Sequence, residues 1–162
     1  MKKLLSIAFL VIGMIANAQN FGSKEYFTAS MSIDPGATIK EGSPNLVAEL
    51  ELVNYWFYVK ASVQTLPDLE GGYFDYGGGL GFNVFLDRWE NIRTYYGGRL
   101  GVIKRDGNSY PLAGFESGID FSISDSMFIG LRGTGDYRED FKYWGGEPEI
   151  RYSGFIRVGF KF

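Results

Sequence analysis

The stretch YSGFIRVGFKF, residues 152–162, alternates between two kinds of side chain. One face of an extended chain here carries Val158, Phe160 and Phe162, whereas the other face carries Arg157. Successive side chains of a β-strand point to opposite faces, and a strand that borders a polar space alternates in this way. The stretch therefore predicts a strand with one apolar face and one polar face.

The same period of two continues towards the N-terminus as far as residue 25, and no 3.6-residue stripe interrupts it. Turn residues separate the alternating segments, as at Asp34-Pro35-Gly36, Asp106-Gly107-Asn108 and Ser124-Asp125-Ser126. The pattern predicts eight strands, over 25–33, 45–53, 55–65, 72–86, 92–105, 110–123, 126–138 and 147–162.

Aromatic residues on the apolar faces concentrate near the ends of the predicted strands. Aromatic residues make up 17% of the 162 residues, and glycines crowd the charged faces, where they leave room for long side chains. Aromatic belts at two interfaces, with aliphatic residues between them, are typical of a membrane-spanning barrel. The predicted girdle consists of Tyr55, Phe57, Phe74, Tyr76, Phe82, Tyr137 and Tyr152.

Residues 1–18 have the features of a secretory signal peptide. Lys2 and Lys3 precede an apolar run that ends in the small-residue box Ala16-Asn17-Ala18. The run is shorter than the ~20 residues that a membrane-spanning helix needs. We expect Sec-type export, with residues 19–162 forming one β-barrel domain. The chain has no cysteine, which excludes a disulfide scaffold and a thiolate metal site.

The ending VGFKF resembles the C-terminal assembly signal of Gram-negative outer-membrane barrels, through Val158, Phe160 and Phe162. Arg157 occupies the place where the stricter signal has glycine. The chain after the signal peptide resembles small eight-stranded barrels of the OmpX/OmpA type. The resemblance implies an all-β, antiparallel up-and-down transmembrane barrel with an apolar exterior and a polar, plugged lumen. It also implies outer-membrane lipid and the barrel insertion machinery as partners.

An even-stranded barrel has both termini in the periplasm, so the longer connections 34–44, 66–71, 106–109 and 139–146 are expected outside the cell. Eight strands enclose a space that side chains fill. If Arg105 and Tyr110 flank the Asp106-Gly107 hairpin, Arg99 lies opposite Glu116. With Ser124 and Ser126 flanking the next turn, Arg132 lies diagonal to Glu116 and Asp120. The predicted lumen network is Arg99, Glu116, Asp120 and Arg132.

Several activities are disfavoured by what the sequence lacks. Known outer-membrane barrel enzymes use histidine, and this chain has none, so we expect no catalytic residue and no cofactor. Without Lys2 and Lys3 the 16 basic residues fall to 14 against 19 acidic ones, a net charge of about −5 that argues against nucleic acid. The glycine-rich stretch 77–81 continues a strand pattern, which disfavours a phosphate loop.

The predicted function is therefore a non-enzymatic outer-membrane barrel with a structural, adhesion or surface-interaction role, exerted through projecting strands and loops. Its extracellular partner is unknown from the sequence. Two alternatives remain, namely a narrow channel or transporter, and a secreted, lipocalin-like soluble barrel that binds an apolar ligand. Asp136, Glu139 and Asp140 could approach a hard cation, but their spacing matches no calcium loop, and no metal site is expected.

Overall fold

The computed structural model describes residues 25–69, 71–86, 91–144 and 147–162. The predicted signal peptide lies outside these residues. Eight antiparallel strands form a closed barrel in which each strand pairs with the next and β1 pairs with β8, as the sequence predicted. The strands are β1 (Tyr26–Asp34), β2 (Asn45–Val53), β3 (Phe57–Leu66), β4 (Tyr73–Phe85), β5 (Ile92–Arg105), β6 (Asn108–Ser124), β7 (Met127–Arg138) and β8 (Glu149–Lys161).

Reciprocal backbone hydrogen bonds close the barrel between its first and eighth strands. The Phe27 amide donates to the Phe162 carbonyl at 3.2 Å, and the Phe162 amide donates to the Phe27 carbonyl at 2.8 Å. A closed sheet leaves no strand edge unpaired over the height at which all eight strands overlap. The pairing of β1 with β8 extends from Thr28 with Lys161 to Ile33 with Ile156.

Side chains alternate between a buried lumen and an exposed outer wall. Along β3, exposed Val59 and Val63 alternate with buried Lys60 and Ser62, as the two-residue period of a strand requires. On β4 the outward Leu80 is 69% exposed. The polar side chains therefore point inward, and large apolar side chains stand on the outer wall.

A short helix, α1 (Pro35–Glu41), follows β1 in a stretch where the sequence predicted only a turn. The Asp34 side chain caps it by accepting a hydrogen bond from the Ala37 amide at 2.9 Å. Pro35 occupies the first turn, and Gly42 ends the helix with a φ of 75°. Seven residues are too few to show helical periodicity, which explains why the pattern missed it. Within the described part of the chain, no helix is long and apolar enough to cross a membrane.

The β5–β6 hairpin is tighter than predicted. Asp106 and Gly107 have φ values of 47° and 75°, the left-handed conformation of a two-residue hairpin turn, and Arg105 pairs directly with Asn108. Arg99 consequently lies opposite Gly114, so its predicted pairing with Glu116 was wrong by two residues.

Near Arg132 the predicted β6–β7 register is confirmed. Arg132 pairs with Gly118, so it is diagonal to Glu116 and Asp120.

One end of the barrel carries α1, the β5–β6 turn and a 3₁₀ turn over Asp140–Trp144; we call it the α1 end. Just inside this end the lumen is filled by a small apolar cluster. Its buried members are Leu66, Tyr73, Ile103 and Leu112, and the half-buried Leu69 and Tyr110 pack against them. The charged part of the lumen lies below this apolar cluster.

Candidate functional site

The lumen holds a buried set of charged side chains that we call the central cluster. Every member is at most 5% exposed, and acids and bases are equal in number. Its members are Glu49, Glu51, Lys60, Arg93, Glu116, Asp120, Arg132 and Arg157. Burying an unpaired charge costs several kcal/mol or more, so a lumen of this kind requires pairing throughout.

Arg157 lies at the centre of this cluster and is completely buried. Its guanidinium contacts three carboxylates, with Nη2 to Glu51 Oε2 at 2.6 Å, Nη1 to Asp120 Oδ2 at 3.0 Å and Nε to Glu49 Oε2 at 3.2 Å. Nε also donates to Ser30 Oγ at 3.0 Å. The planar donor fork of arginine matches several carboxylates at once, so one β8 side chain joins acids from β2 and β6.

Lys60 extends the cluster across the lumen. Its Nζ lies 3.0 Å from Glu49 Oε1, and it also forms an ion pair with Glu116. The Tyr58 hydroxyl donates to Glu116 Oε1 at 2.7 Å, and Arg132 pairs with Glu49. Each buried acid therefore has at least one basic partner.

Arg93 completes the central cluster from β5. It pairs with Glu51, and its Nη1 lies 3.2 Å from Asp120 Oδ2. Asn83 Oδ1 accepts a hydrogen bond from Arg93 Nε at 2.9 Å, which orients the guanidinium. Because Glu51 and Asp120 also contact Arg157, the two arginines share both carboxylates.

A second charge cluster lies nearer the α1 end. Arg99 Nη2 is 3.4 Å from Asp75 Oδ1, and its Nη1 is 3.3 Å from Asp136 Oδ2. Tyr73 donates its hydroxyl proton to Asp75 Oδ2 at 2.6 Å, and Thr134 donates to Asp136 Oδ2 at 3.1 Å. This cluster is linked through Tyr73 to the apolar cluster above it.

Asp140 anchors the 3₁₀ turn to the barrel. Its carboxylate accepts two hydrogen bonds from Arg138, each 2.7 Å long, and one of 3.1 Å from Arg105 Nη1. Burial raises the pKa of Asp140, but the hydrogen bonds and charges of Arg138 and Arg105 outweigh it and hold the pKa below its ordinary value. The Asp140 carboxylate is therefore ionised and structural, and it is not a proton donor.

The four predicted network residues are all buried, but they divide between the two clusters. Glu116, Asp120 and Arg132 belong to the central cluster, where other side chains connect them, whereas Arg99 belongs to the cluster near the α1 end. The predicted network left out the side chains that connect its members. These side chains lie on the same charged strand faces as the predicted residues, and that position was the sequence signal that could have identified them. Their contacts run across the lumen and not along one strand pair, so register alone could not identify Arg157 as the centre.

Inward aromatic rings fill the space between the charges. Arg93 stacks over the ring of Tyr95 at 4.7 Å, and Arg157 lies 4.9 Å from the ring centre of Phe128. A side chain at Gly97 would collide with the Tyr58 hydroxyl and come within 2.7 Å of the neighbouring backbone. The glycines of the charged faces therefore accommodate rings as well as long basic side chains.

Six of the predicted girdle residues are exposed on the outer wall of the strands. Tyr55 is the exception, because it lies half-buried in the turn between β2 and β3 and its ring stacks on that of Phe85 at 5.7 Å. Phe57 lies opposite Phe82, and Phe82 lies opposite Tyr96, which makes an aromatic row away from the α1 end. Near the α1 end, the ring centres of Phe74 and Tyr76 are 6.1 Å apart. Tyr137 and Tyr152 also lie towards that end, near the end of β7 and the start of β8. Val158, Phe160 and Phe162, the predicted assembly signal, are exposed on the same wall.

Comparison with known proteins bears on the fold. No family model matches the sequence, and no curated protein matches it. The Yersinia pestis outer membrane protein Ail, solved in a phospholipid bilayer nanodisc, superposes with a TM-score of 0.50 at 13% identity, covering 86% of this chain and 99% of Ail. The chain has the fold of Ail. Neisserial surface protein A (NspA) has a TM-score of 0.48 at 11% identity, covering 85% of this chain and 95% of NspA.

Within this Ail-like barrel, the residues considered for a cation have other partners. Asp136 pairs with Arg99, and Asp140 pairs with Arg105 and Arg138. The described ranges hold no group of three potential ligand residues that could bind a metal ion. The glycine-rich stretch 77–81 lies inside β4.

The α1 end of the Ail-like barrel has an open cleft of about 600 Å³. Leu66, Leu69, Tyr73 and Phe141 contribute apolar surface, and Arg138 adds charge near the floor. Its other walls are formed by α1 and by residues 149–154 of β8. Ligand pockets in proteins range from about 300 to 1,000 Å³, so this cleft is large enough for a small ligand or a short peptide.

Proposed function

We propose that the protein is a non-enzymatic outer-membrane barrel that acts at the cell surface through its α1 end, in adhesion, surface interaction or support of the envelope. The observation that carries the proposal is the filled lumen. Charged clusters and inward rings occupy the barrel interior, so the cleft at the α1 end is where another molecule can be accommodated.

The outer wall supports a position in a lipid bilayer. Leu80 and Leu100 are 69% and 70% exposed, and Leu131 is 56% exposed, between the aromatic rows of the two ends. Exposing each of these side chains to water costs roughly 25 cal/mol per Å² of apolar surface, and this cost is absent when the side chain lies in hydrocarbon. Outer-membrane lipid is therefore the proposed surrounding, and the polar lumen makes a soluble carrier of apolar ligands the weaker alternative.

Export and insertion form part of the proposal. Residues 1–18 would direct the chain across the inner membrane, and Val158, Phe160 and Phe162 would present apolar side chains to the barrel insertion machinery. Replacing Phe162 by serine keeps the backbone bonds to Phe27 while removing an exposed ring. We expect this variant to insert poorly in cells but to fold normally from urea into detergent. Poor folding in both settings would contradict a role in recognition.

A conducting pore is disfavoured by the contacts inside the barrel. The Arg157 guanidinium joins carboxylates from opposite sides of the lumen, and the apolar cluster of Ile103 and its neighbours fills the space above. An ion would have to break several buried pairs to pass, each at a cost of several kcal/mol. We expect no single-channel conductance in planar bilayers.

Cell fractionation, followed by gel mobility with and without boiling, tests the proposal. Recovery in the outer membrane with a heat-dependent mobility shift is expected of a closed, lipid-embedded barrel. Recovery in the soluble periplasmic fraction would overturn it in favour of a lumen ligand, and steady conductance would revive the channel alternative.

A further inference from the structure

The rim of the barrel at the α1 end is uneven in height. β1 and β2 have nine residues each, whereas β6 has 17. A tilted strand needs about 9–11 residues to cross the hydrocarbon of a bilayer. β1 and β2 are therefore only just long enough to cross, and the helix that joins them begins where the hydrocarbon ends.

The strand register gives the level of α1 independently of strand length. The last pair between β1 and β8 is Ile33 with Ile156. The same register, continued by two residues, places Pro35 beside Gly154. Tyr152 of the predicted girdle is two residues nearer the rim, about 7 Å along β8. Because aromatic residues of a girdle lie at the bilayer surface, α1 begins at the level of that surface and not above it.

Hydrogen bonds to Thr38 fix which side of α1 faces away from the barrel. The Asn45 amide at the start of β2 donates to Thr38 Oγ1 at 3.1 Å, and the Thr38 hydroxyl donates to the Asp34 carbonyl at 2.6 Å. The residues of α1 that line the cleft are Gly36, Ala37, Lys40 and Glu41. With one side bonded to β2 and another facing the cleft, α1 has one side left to face outward.

The outward side of α1 consists of Pro35 and Ile39. They are four residues apart, so they lie on the same side of the helix, one turn from each other. Pro35 lines a shallow groove of the outer wall together with Leu131 and Ile156. Ile39 is 83% exposed, an unfavourable position in water for a large aliphatic side chain. The apolar outer wall of the strands therefore continues onto α1.

We propose that α1 docks on the outer leaflet of the membrane, with Pro35 and Ile39 at the boundary between lipid headgroups and acyl chains. Interfacial helices bury their apolar side about 5–10 Å into this boundary. Lipid is the occupant because this side of α1 is continuous with the wall that the bilayer covers and lies at the level of the bilayer surface. The opposite side of α1 stays in water, so the helix separates the cleft from the bilayer. This inference rests on the proposed function, since it needs the outer wall to lie in lipid.

Nitroxide labels on single introduced cysteines test the inference, with the protein in phosphatidylcholine nanodiscs, whose two faces are both open to solutes. The chain has no cysteine, so each variant carries one label at a known place. Ile39→Cys reports on the outward side of α1. Lys40→Cys is the matched control for water, because Lys40 is the next residue, its side chain is 68% exposed and it lines the cleft. Leu80→Cys is the control for lipid, on the outer wall of β4.

The measured quantity is the collision rate of each label with two relaxing agents, obtained from the power saturation of its EPR signal. Oxygen concentrates in hydrocarbon, whereas a neutral nickel chelate stays in water. The ratio of the two rates therefore reports whether a label lies in lipid or in water. The heat-dependent mobility shift of each variant shows separately that its barrel is folded.

We expect the ratio of oxygen to nickel collision rates to be several times higher at residue 39 than at residue 40, and to approach its value at residue 80. Equal ratios at residues 39 and 40, with the label at residue 80 in lipid, would overturn this inference alone. A label at residue 80 that is open to the nickel chelate would overturn the membrane barrel as well. Dipolar broadening between labels at residue 39 would also contradict lipid docking, because a second copy of the chain would then cover this side of α1.

Discussion

Replacing Arg157 by glutamine should destabilise the barrel more than any surface change. The guanidinium contacts Glu49, Glu51 and Asp120 at 3.2, 2.6 and 3.0 Å, and glutamine can replace none of these charges. The central cluster would then hold four acids and three bases, with one negative charge uncompensated in a buried lumen. Glutamine is also shorter, so it leaves space beside Phe128.

The size of the effect follows from the partners that remain. Glu51 and Asp120 keep Arg93, and Glu49 keeps Lys60, so no carboxylate loses all its basic neighbours. The cost should therefore resemble that of one broken buried pair, about 3–5 kcal/mol, and not three times that figure. An exposed pair of similar composition is worth about 0–1 kcal/mol.

Arg151→Gln is the matched control, because Arg151 is on the same strand but its side chain is 46% exposed and pairs with the equally exposed Glu149. Both variants are folded from urea into lipid vesicles, which bypasses cellular insertion, and their free energies of unfolding are compared by urea titration. A loss for Arg157→Gln within about 1 kcal/mol of the control would refute the assignment of Arg157 as the centre of the cluster.

Three further changes address other parts of the barrel. Glu116→Lys places a second ammonium beside Lys60, so the temperature of the gel mobility shift should fall markedly; an unchanged temperature would contradict the pairing. Gly97→Ala should cost about 1–3 kcal/mol because its methyl group meets backbone, whereas Gly98→Ala, 3.9 Å from its nearest neighbour, should be close to neutral by urea titration. The lowered pKa of Asp140 means that its stabilisation is complete above its ordinary pKa of 3.8 and is lost as pH falls below that value. Proteases should cleave the 3₁₀ turn of the wild-type protein faster in acid, and they should cleave the same turn in the Asp140→Asn variant readily at every pH.

The strands and their two faces were readable from the sequence because a strand repeats every two residues. The predicted 45–53 and 92–105 have the bounds of β2 and β5. Buried Arg99 and Arg157 were both assigned to the inward face for the same reason. The alternation is local, so residues can be assigned to the inward or outward face without knowing which distant residues they contact.

Contacts across the lumen were not readable in the same way. Arg157 reaches Glu51 because the sheet closes on itself, and closure depends on the tilt and stagger of all eight strands. The Asp106-Gly107 turn was a local signal for a two-residue hairpin, and using it would have corrected the position of Arg99. The point at which β1 stops pairing with β8, at Ile33 with Ile156, also depends on the combined registers of the strands.

The central position of Arg157 has a consequence for how the barrel is made. It is 106 residues from Glu51 along the chain, and it belongs to the eighth strand. Until β8 docks, the acids of β2 and β6 outnumber the bases of the central cluster. An intermediate with seven strands therefore has an uncompensated negative charge in its lumen. Long-range contacts of this kind form slowly and late. We therefore expect zipping of β8 against β1 to be the rate-limiting, all-or-none step of folding.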